Sequence, residues 1–290
     1  MNYTLKQGDL SICIDALGAQ LTSVIWKGRE YLWQGDPAYW PDHSLLLFPY
    51  VGRYTDGKYT FRGKAYPMDI HGFAKDSMFE IEDPREDSVT FVLRDSEETR
   101  AVYPFRFVLS VTYEVSGSTV SVHYDVENLS EDRMFFGIGG HPGFNVPLEE
   151  GLSFDDYYLE FSRPHTPDHV GHSEYRFLNG IDTPVQLEDG LRLPLHHDLF
   201  DEDAYVLRNV ADTVTLASRK GACSVTMHYP GLPYLGIWHM PQTDAPYVCL
   251  EPWSSLPSRQ DIVEDIEFKC DLIRLPAGES YHTMWSMTLT

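Results

Sequence analysis

The sequence predicts an all-β fold, a large antiparallel β-sandwich, on three observations. Apolar residues alternate with period two along several stretches, short glycine-containing turns join them, and no segment sustains a 3.6-residue period. In the clearest stretch Phe105, Phe107, Leu109, Val111, Tyr113 and Val115 alternate with Arg106, Val108, Ser110, Thr112 and Glu114. Ser116-Gly117-Ser118 then offers a tight turn, after which Val120, Val122, Tyr124 and Val126 alternate with Ser121, His123, Asp125 and Glu127. Two such runs joined by a short turn predict a β-hairpin with one buried face. The pattern recurs from Ser224 to Tyr229 and from Tyr281 to Leu289. Nineteen prolines and 21 glycines divide the remainder into short segments, as a many-stranded sandwich requires.

The 290 residues are expected to form one domain, 1–290, because no charge run, repeat or low-complexity tract marks a linker. The least regular stretches, Glu149 to Asp156 and Arg163 to Asp182, read as long loops. With 44 acidic and 22 basic side chains the formal net charge is −22. That balance excludes nucleic acid, whose phosphates need clustered Lys and Arg, and disfavours an anionic membrane surface. A neutral small molecule is the expected partner. Met1 to Lys6 lack the basic-then-apolar layout of a signal peptide, so a cytoplasmic protein, monomer or homodimer, is expected. Cys13, Cys223, Cys249 and Cys270 are scattered without a CxxC spacing and read as reduced, buried residues. Two glycosylation-like triplets, at Asn2 and Asn128, read as chance matches.

Four constellations could carry chemistry: Phe48-Pro49-Tyr50-Val51-Gly52-Arg53, Met68 to Lys75 around His71, Gly137 to Asn145 around His141, and Ala245 to Trp253 around Glu251. Glu251 follows the apolar run Tyr247 to Leu250 and precedes Pro252 and Trp253. A carboxylate at the end of a buried strand among aromatics is desolvated, which raises its pKa and suits it to act as a base. An imidazole across a cleft, His141, can serve as the complementary acid. Trp238, Trp253 and Phe144 could offer stacking faces to a sugar ring. Each residue has a structural alternative: His141 as a turn histidine satisfied by backbone, Arg53 as an ion-pair partner, Glu251 as an acceptor for loop amides. His165, Asp168, His169 and His172 have a metal-like spacing but lie among prolines and a glycine, so a solvated loop is the better reading. His196-His197-Asp198 reads the same way. Gly137-Ile138-Gly139 has Pro142 where a dinucleotide loop needs glycine, and no nucleophile elbow or phosphate loop is present.

In the order and spacing of Phe48-Pro49, Gly52-Arg53, His71-Gly72-Phe73-Ala74, Gly140-His141-Pro142 with Phe144-Asn145, Leu232 to Trp238, and Leu250-Glu251-Pro252-Trp253, the chain resembles the aldose 1-epimerase (galactose mutarotase-like) family over nearly its whole length, most closely the LacX-like branch. The resemblance implies a supersandwich with a sugar cleft on one face and interconversion of the α and β anomers of a free aldose, such as an aldohexose. It implies Glu251 as the base at the C1 hydroxyl and His141 as the acid at the ring oxygen. Arg53, His71, Asp203 and Trp238 would contact the sugar, with Asp201 a close alternative to Asp203. No metal or cofactor is expected for a proton transfer without redox change. Gly52 stands where the galactose mutarotases carry Asn, and Lys75 where similar sequences carry Arg. The competing readings are a carbohydrate-binding module without turnover, a sugar-phosphate epimerase, and a glycoside hydrolase, the last lacking a convincing second carboxylate.

Overall fold

The computed structural model describes residues 1–290. Two large sheets built from antiparallel pairs dominate it. One has nine strands in the spatial order Arg192–Pro194, Tyr157–Phe161, Thr213–Ser218, Val225–His228, Ser280–Leu289, Thr119–Asn128, Phe107–Ser116, Ser88–Arg94 and Glu80–Glu82. The other has seven: Thr183–Pro184, Asp168–His169, Tyr205–Arg208, Tyr234–Trp238, Tyr247–Trp253, Gly139–Asn145 and Ser44–Leu47. A four-stranded sheet uses Asn2–Gln7, Leu10–Asp15, Gln20–Trp26 and Arg29–Glu30 in chain order. The expected all-β sandwich is what forms.

The hairpin read from alternation is present. Phe107–Ser116 pairs with Thr119–Asn128, with Ser116 opposite Thr119. Gly117 at the first turn position has φ +61°, the conformation a two-residue hairpin of the II′ type demands. Phe105 is buried but precedes the strand, because the chain arrives there from an α-helix, Glu97–Val102. Sequence periodicity gave no sign of that helix, for a physical reason. None of its six residues is buried, so it has no apolar stripe; a capping box between Ser96 and Thr99 starts it.

A continuous core of 67 buried residues lies between the sheets. From the nine-stranded sheet come Val122, Tyr124, Trp285 and Met287; from the seven-stranded sheet come Phe144, Leu235, Ile237, Val248 and Leu250. The period-two pleat then sends Tyr247, Cys249, Glu251 and Trp253 to the opposite face of the seven-stranded sheet. Two expectations are corrected here. Phe144 points into the core at 0% exposure and offers no face to a ligand. Of the four cysteines only Cys249 is buried; Cys270 is exposed and Cys13 and Cys223 are partly so, although all four are unbridged. No helix is long and apolar enough to cross a membrane.

The sheets meet closely where Trp285 crosses the core. Its indole N–H donates to the Tyr124 hydroxyl at 2.8 Å, and its ring lies against Gly140 of the other sheet. A Cβ on Gly140 would fall 2.8 Å from Trp285 Nε1, so Gly140→Ala must push a rigid ring or the sheet itself. A loss of about 1–3 kcal/mol is expected, the usual cost of overpacking, read as a lower urea midpoint at unchanged slope. Wild-type stability in that variant would show that the sheets can separate freely at this point.

Candidate active site

A cleft of about 1500 Å³ opens on the outer face of the seven-stranded sheet, away from the nine-stranded one. Its floor is the ladder between Gly139–Asn145 and Tyr247–Trp253, with Gly139 opposite Trp253 and Gly143 opposite Cys249. That register sets His141 and Glu251 side by side, His141 Nε2 lying 3.2 Å from Glu251 Oε2. Glu251 does not end its strand, as the sequence suggested. The strand continues to Trp253 and every residue in it is buried. Glu251 is therefore more enclosed than expected, 1% exposed, with His141 at 7%.

The glycines around His141 are explained by close approach, since none of Gly139, Gly140 and Gly143 has a positive φ. A Cβ would meet the Pro252 carbonyl oxygen at 2.7 Å from Gly139 and the Trp40 ring at 3.1 Å from Gly143. On the neighbouring strand Gly236 lies opposite Glu251, and a Cβ there would strike the Trp253 ring at 2.8 Å. These small residues let aromatic rings wall the pair. Trp40 lies over the His141 ring with centroids 4.8 Å apart, and Trp238 meets it edge-on at 5.6 Å.

A second pair of segments places Arg53 and His71. The Phe48 and Gly72 backbones form a parallel bridge; His71 N–H donates to the Gly52 carbonyl at 2.7 Å and Phe73 N–H to the Phe48 carbonyl at 3.1 Å. Gly72, at φ +76°, lies so close that a Cβ would fall 2.2 Å from the Phe48 oxygen. Gly52 has φ +74° and a Cβ there would strike Pro257 at 2.5 Å. Glycine therefore fits at position 52 where a side chain would not. Gly52 N–H donates to His71 Nδ1 at 3.1 Å. An Nδ1 that accepts leaves the neutral ring's proton on Nε2, so His71 reaches the cleft as a donor. Arg53 also lines the cleft. The cleft's other two cations are engaged, Lys75 with Asp76 and Arg176 with Asp203, whereas Arg53 is in no ion pair.

Asp203 and Asp201 both line the cleft, but differently. Asp201 is exposed. Asp203, at φ +97°, accepts the Trp238 indole N–H at 2.9 Å through Oδ1 and faces Arg176 Nε at 3.1 Å through Oδ2. All six predicted site residues, Arg53, His71, His141, Asp203, Trp238 and Glu251, thus share one cleft. Other residues were missed. Trp40 and Asp42 come from a turn with no periodic signal, and Arg176 from the loop read as solvated. That loop forms a cleft wall, with His169 stacked on Tyr205 at 4.2 Å and His172 lining the cleft beside them. The loop histidines do not converge. His165 turns away, Nδ1 donating to the Arg163 carbonyl and Nε2 accepting from Ala211 N–H.

Burial dominates the electrostatics. It pushes the Glu251 carboxyl well above the usual carboxylate range, with the nearby Asp203 charge adding to the shift. It pushes the His141 imidazole down to about 3. His71 is driven well below the usual histidine value by burial, then by His141, Lys75 and Arg53. Glu251 Oε1 and His141 Nδ1 have no hydrogen-bond partner in the protein. The arrangement is a buried acid–base couple with spare hydrogen-bonding capacity, open to a large polar cleft.

Comparison with known proteins gives a consistent picture. The sequence profile of the aldose 1-epimerase family matches residues 1–287. Protein LacX of Lactococcus lactis is 35% identical over 277 residues, covering 91% of this chain and 92% of LacX. A crystal structure of a galactose mutarotase related enzyme from Lactobacillus acidophilus matches with a TM-score of 0.95 at 33% identity, covering 100% of this chain and 97% of that one. A galactose mutarotase-like protein from Lactobacillus casei gives 0.95 at 34% identity, with 100% of each chain covered.

The histidine shifts have a direct readout. Because burial lowers the pKa of both rings, His71 and His141 should remain neutral between pH 7 and 5.5, whereas an exposed histidine gains its proton near 6.5. Ring ¹⁵N NMR should also find the His71 proton on Nε2. Titration of either ring near pH 6.5 would mean that water reaches the couple freely.

Proposed function

The chain belongs to the aldose 1-epimerase family, and from that premise we propose that it interconverts the α and β anomers of a free aldose. The supporting observation is the 3.2 Å contact between His141 Nε2 and Glu251 Oε2. Anomer exchange takes a proton from the C1 hydroxyl and delivers one to the ring oxygen, and both oxygens are bonded to one carbon. An acid and a base in direct contact match that demand, since each can face one of the two oxygens at once. Glu251 takes the hydroxyl proton and His141 gives one to the ring oxygen. The C1–O5 bond breaks, the aldehyde turns about C1–C2, and closure on its other face reverses both transfers.

Arg53 supplies a fork of donors to ring or hydroxyl oxygens, and His71 Nε2–H a further donor. Asp203, pinned by Trp238 and Arg176, accepts from a sugar hydroxyl. Trp40, Trp238 and Trp253 provide apolar faces. A module that only binds sugar has no need to bury a carboxylic acid at 1% exposure with an unpartnered oxygen. A phosphorylated sugar fits less well than a neutral one. The cleft carries eight carboxyl side chains against three of Lys or Arg.

Polarimetry on freshly dissolved aldoses tests the reading. At least one free aldohexose should equilibrate faster with the protein than in buffer; sugar binding without acceleration across a broad panel would favour the binding module. Glu251→Gln keeps the shape of the side chain but cannot take a proton. It should lower kcat by about 10²–10⁴-fold, the usual contribution of a general base, with sugar binding largely kept. His141→Asn should behave alike. Arg53→Lys should weaken binding together with rate, because a point charge replaces a planar fork. A Glu251→Gln variant with near-normal kcat would send the search for the base to Asp201, Asp203 and His71.

A further inference from the structure

Cys249 takes no part in the proposed reaction, yet it lies directly beside the reacting pair. Its Sγ, a nitrogen of His141 and a carboxyl oxygen of Glu251 all lie within 4.8 Å of one another, and all three residues are buried. The placement follows from the sheet. Cys249 and Glu251 are two residues apart on one strand and so share a face. His141 comes from the neighbouring strand, whose Gly143 is opposite Cys249. A second, independent observation concerns the same cluster: Glu251 is 1% exposed, and its Oε1, like His141 Nδ1, has no hydrogen-bond partner.

We propose that Cys249, His141 and Glu251 form a binding site for a thiophilic divalent cation such as zinc, and that occupancy switches the acid–base couple off. The donor set is one thiolate, one imidazole and one carboxylate, a combination zinc accepts in tetrahedral geometry. Ligand atoms around tetrahedral zinc lie roughly 3.3–3.6 Å apart, given bonds of about 2.0–2.3 Å. The His141–Glu251 contact at 3.2 Å is close to that spacing, and the remaining separations, up to 4.8 Å, must shorten for all three residues to ligate. His141 and Glu251 line the cleft; Cys249 does not, and packs with Trp33, Trp40 and Tyr247. The thiolate selects zinc or cadmium over magnesium or calcium, which prefer oxygen ligands.

The step balances in charge and protons. The Cys249 S–H and the Glu251 carboxyl O–H each release a proton, His141 offers a lone pair, and the cation's two positive charges are matched by the thiolate and the carboxylate. Because two protons leave as the cation binds, binding tightens as pH rises. Inhibition rests on the proposed use of His141 and Glu251, since the cation would take the lone pairs they need. Binding itself rests on the geometry alone.

The test uses the full chain with exposed Cys270 changed to Ser, compared with the same chain also carrying Cys249→Ala. Cobalt is titrated in as a spectroscopic stand-in for zinc, and mutarotation is followed in parallel with zinc. Expected are a thiolate-to-cobalt charge-transfer band, inhibition by zinc that a chelator reverses, and no effect of magnesium. Cys249→Ala should retain basal turnover and weaken both band and inhibition by roughly tenfold or more, since even outer-shell changes at metal sites cost that much. Cys249→Ser serves if the alanine variant is unstable. Equal zinc sensitivity with and without Cys249, or a cobalt spectrum lacking the thiolate band, would overturn the site. If no aldose is turned over, the band still decides the question, so the two readings can fail separately.

Discussion

The most demanding feature of this protein is a carboxylic acid placed in the middle of a buried strand. Glu251 is 1% exposed and flanked on both sides by antiparallel neighbours. Burial disfavours the ionised form of such a group and raises its pKa. Much of the surrounding architecture makes room for that arrangement. Gly236 and Gly139 admit the Trp253 ring, and Gly143 admits Trp40. The same sheet turns Val248 and Leu250 into the core. The residues that anchor the strand thermodynamically therefore sit next in sequence to the one that destabilises it.

Positioning at the cleft rim follows a different logic. Arg53 and His71 are set by two loops locked backbone to backbone, with Gly52, His71 and Gly72 all at positive φ. A non-glycine residue held there is strained, and such strain persists only where the surroundings over-determine it. Here the bridge between Phe48 and Gly72 and the Gly52-to-His71 hydrogen bond do so. Asp203 is a second residue of this kind, held by Trp238 and Arg176.

Much of this was legible in the sequence, and the parts that were not share a cause. The hairpin from Phe107 to Asn128 announced itself because one face is buried and the other is not. The Gly-rich run at His141 and the aromatic run at Glu251 stood out because close backbone approach limits which residues fit. The contribution of Trp40, Asp42 and Arg176 was invisible, because loops show no periodicity and their position depends on contacts distant in sequence. Phe144 was misread for a subtler reason. Alternation shows that His141 and Phe144 lie on opposite faces, but not which of those faces meets the second sheet. The sequence places Glu251 at the end of the apolar run Tyr247 to Leu250; the ladder continues through Pro252 to Trp253.

The proposed chemistry also gives burial a use beyond exclusion of water. Free in solution, a carboxylate is a weak base and an imidazolium a weak acid. Desolvation moves the first upward and the second downward, so an ionised Glu251 is the stronger base and a protonated His141 the stronger acid. The cost is that this ionic form is scarce in the buried pair. A hemiacetal relieves the conflict, because its hydroxyl donates to Glu251 and its ring oxygen accepts from His141 at the same moment. Neither charge then has to develop fully before the sugar proton moves. Ring closure runs the transfers backward and returns the pair to its starting state, so the couple needs no exchange with solvent between turnovers. A buried acid–base pair is well suited to a reaction that neither consumes nor releases a proton overall.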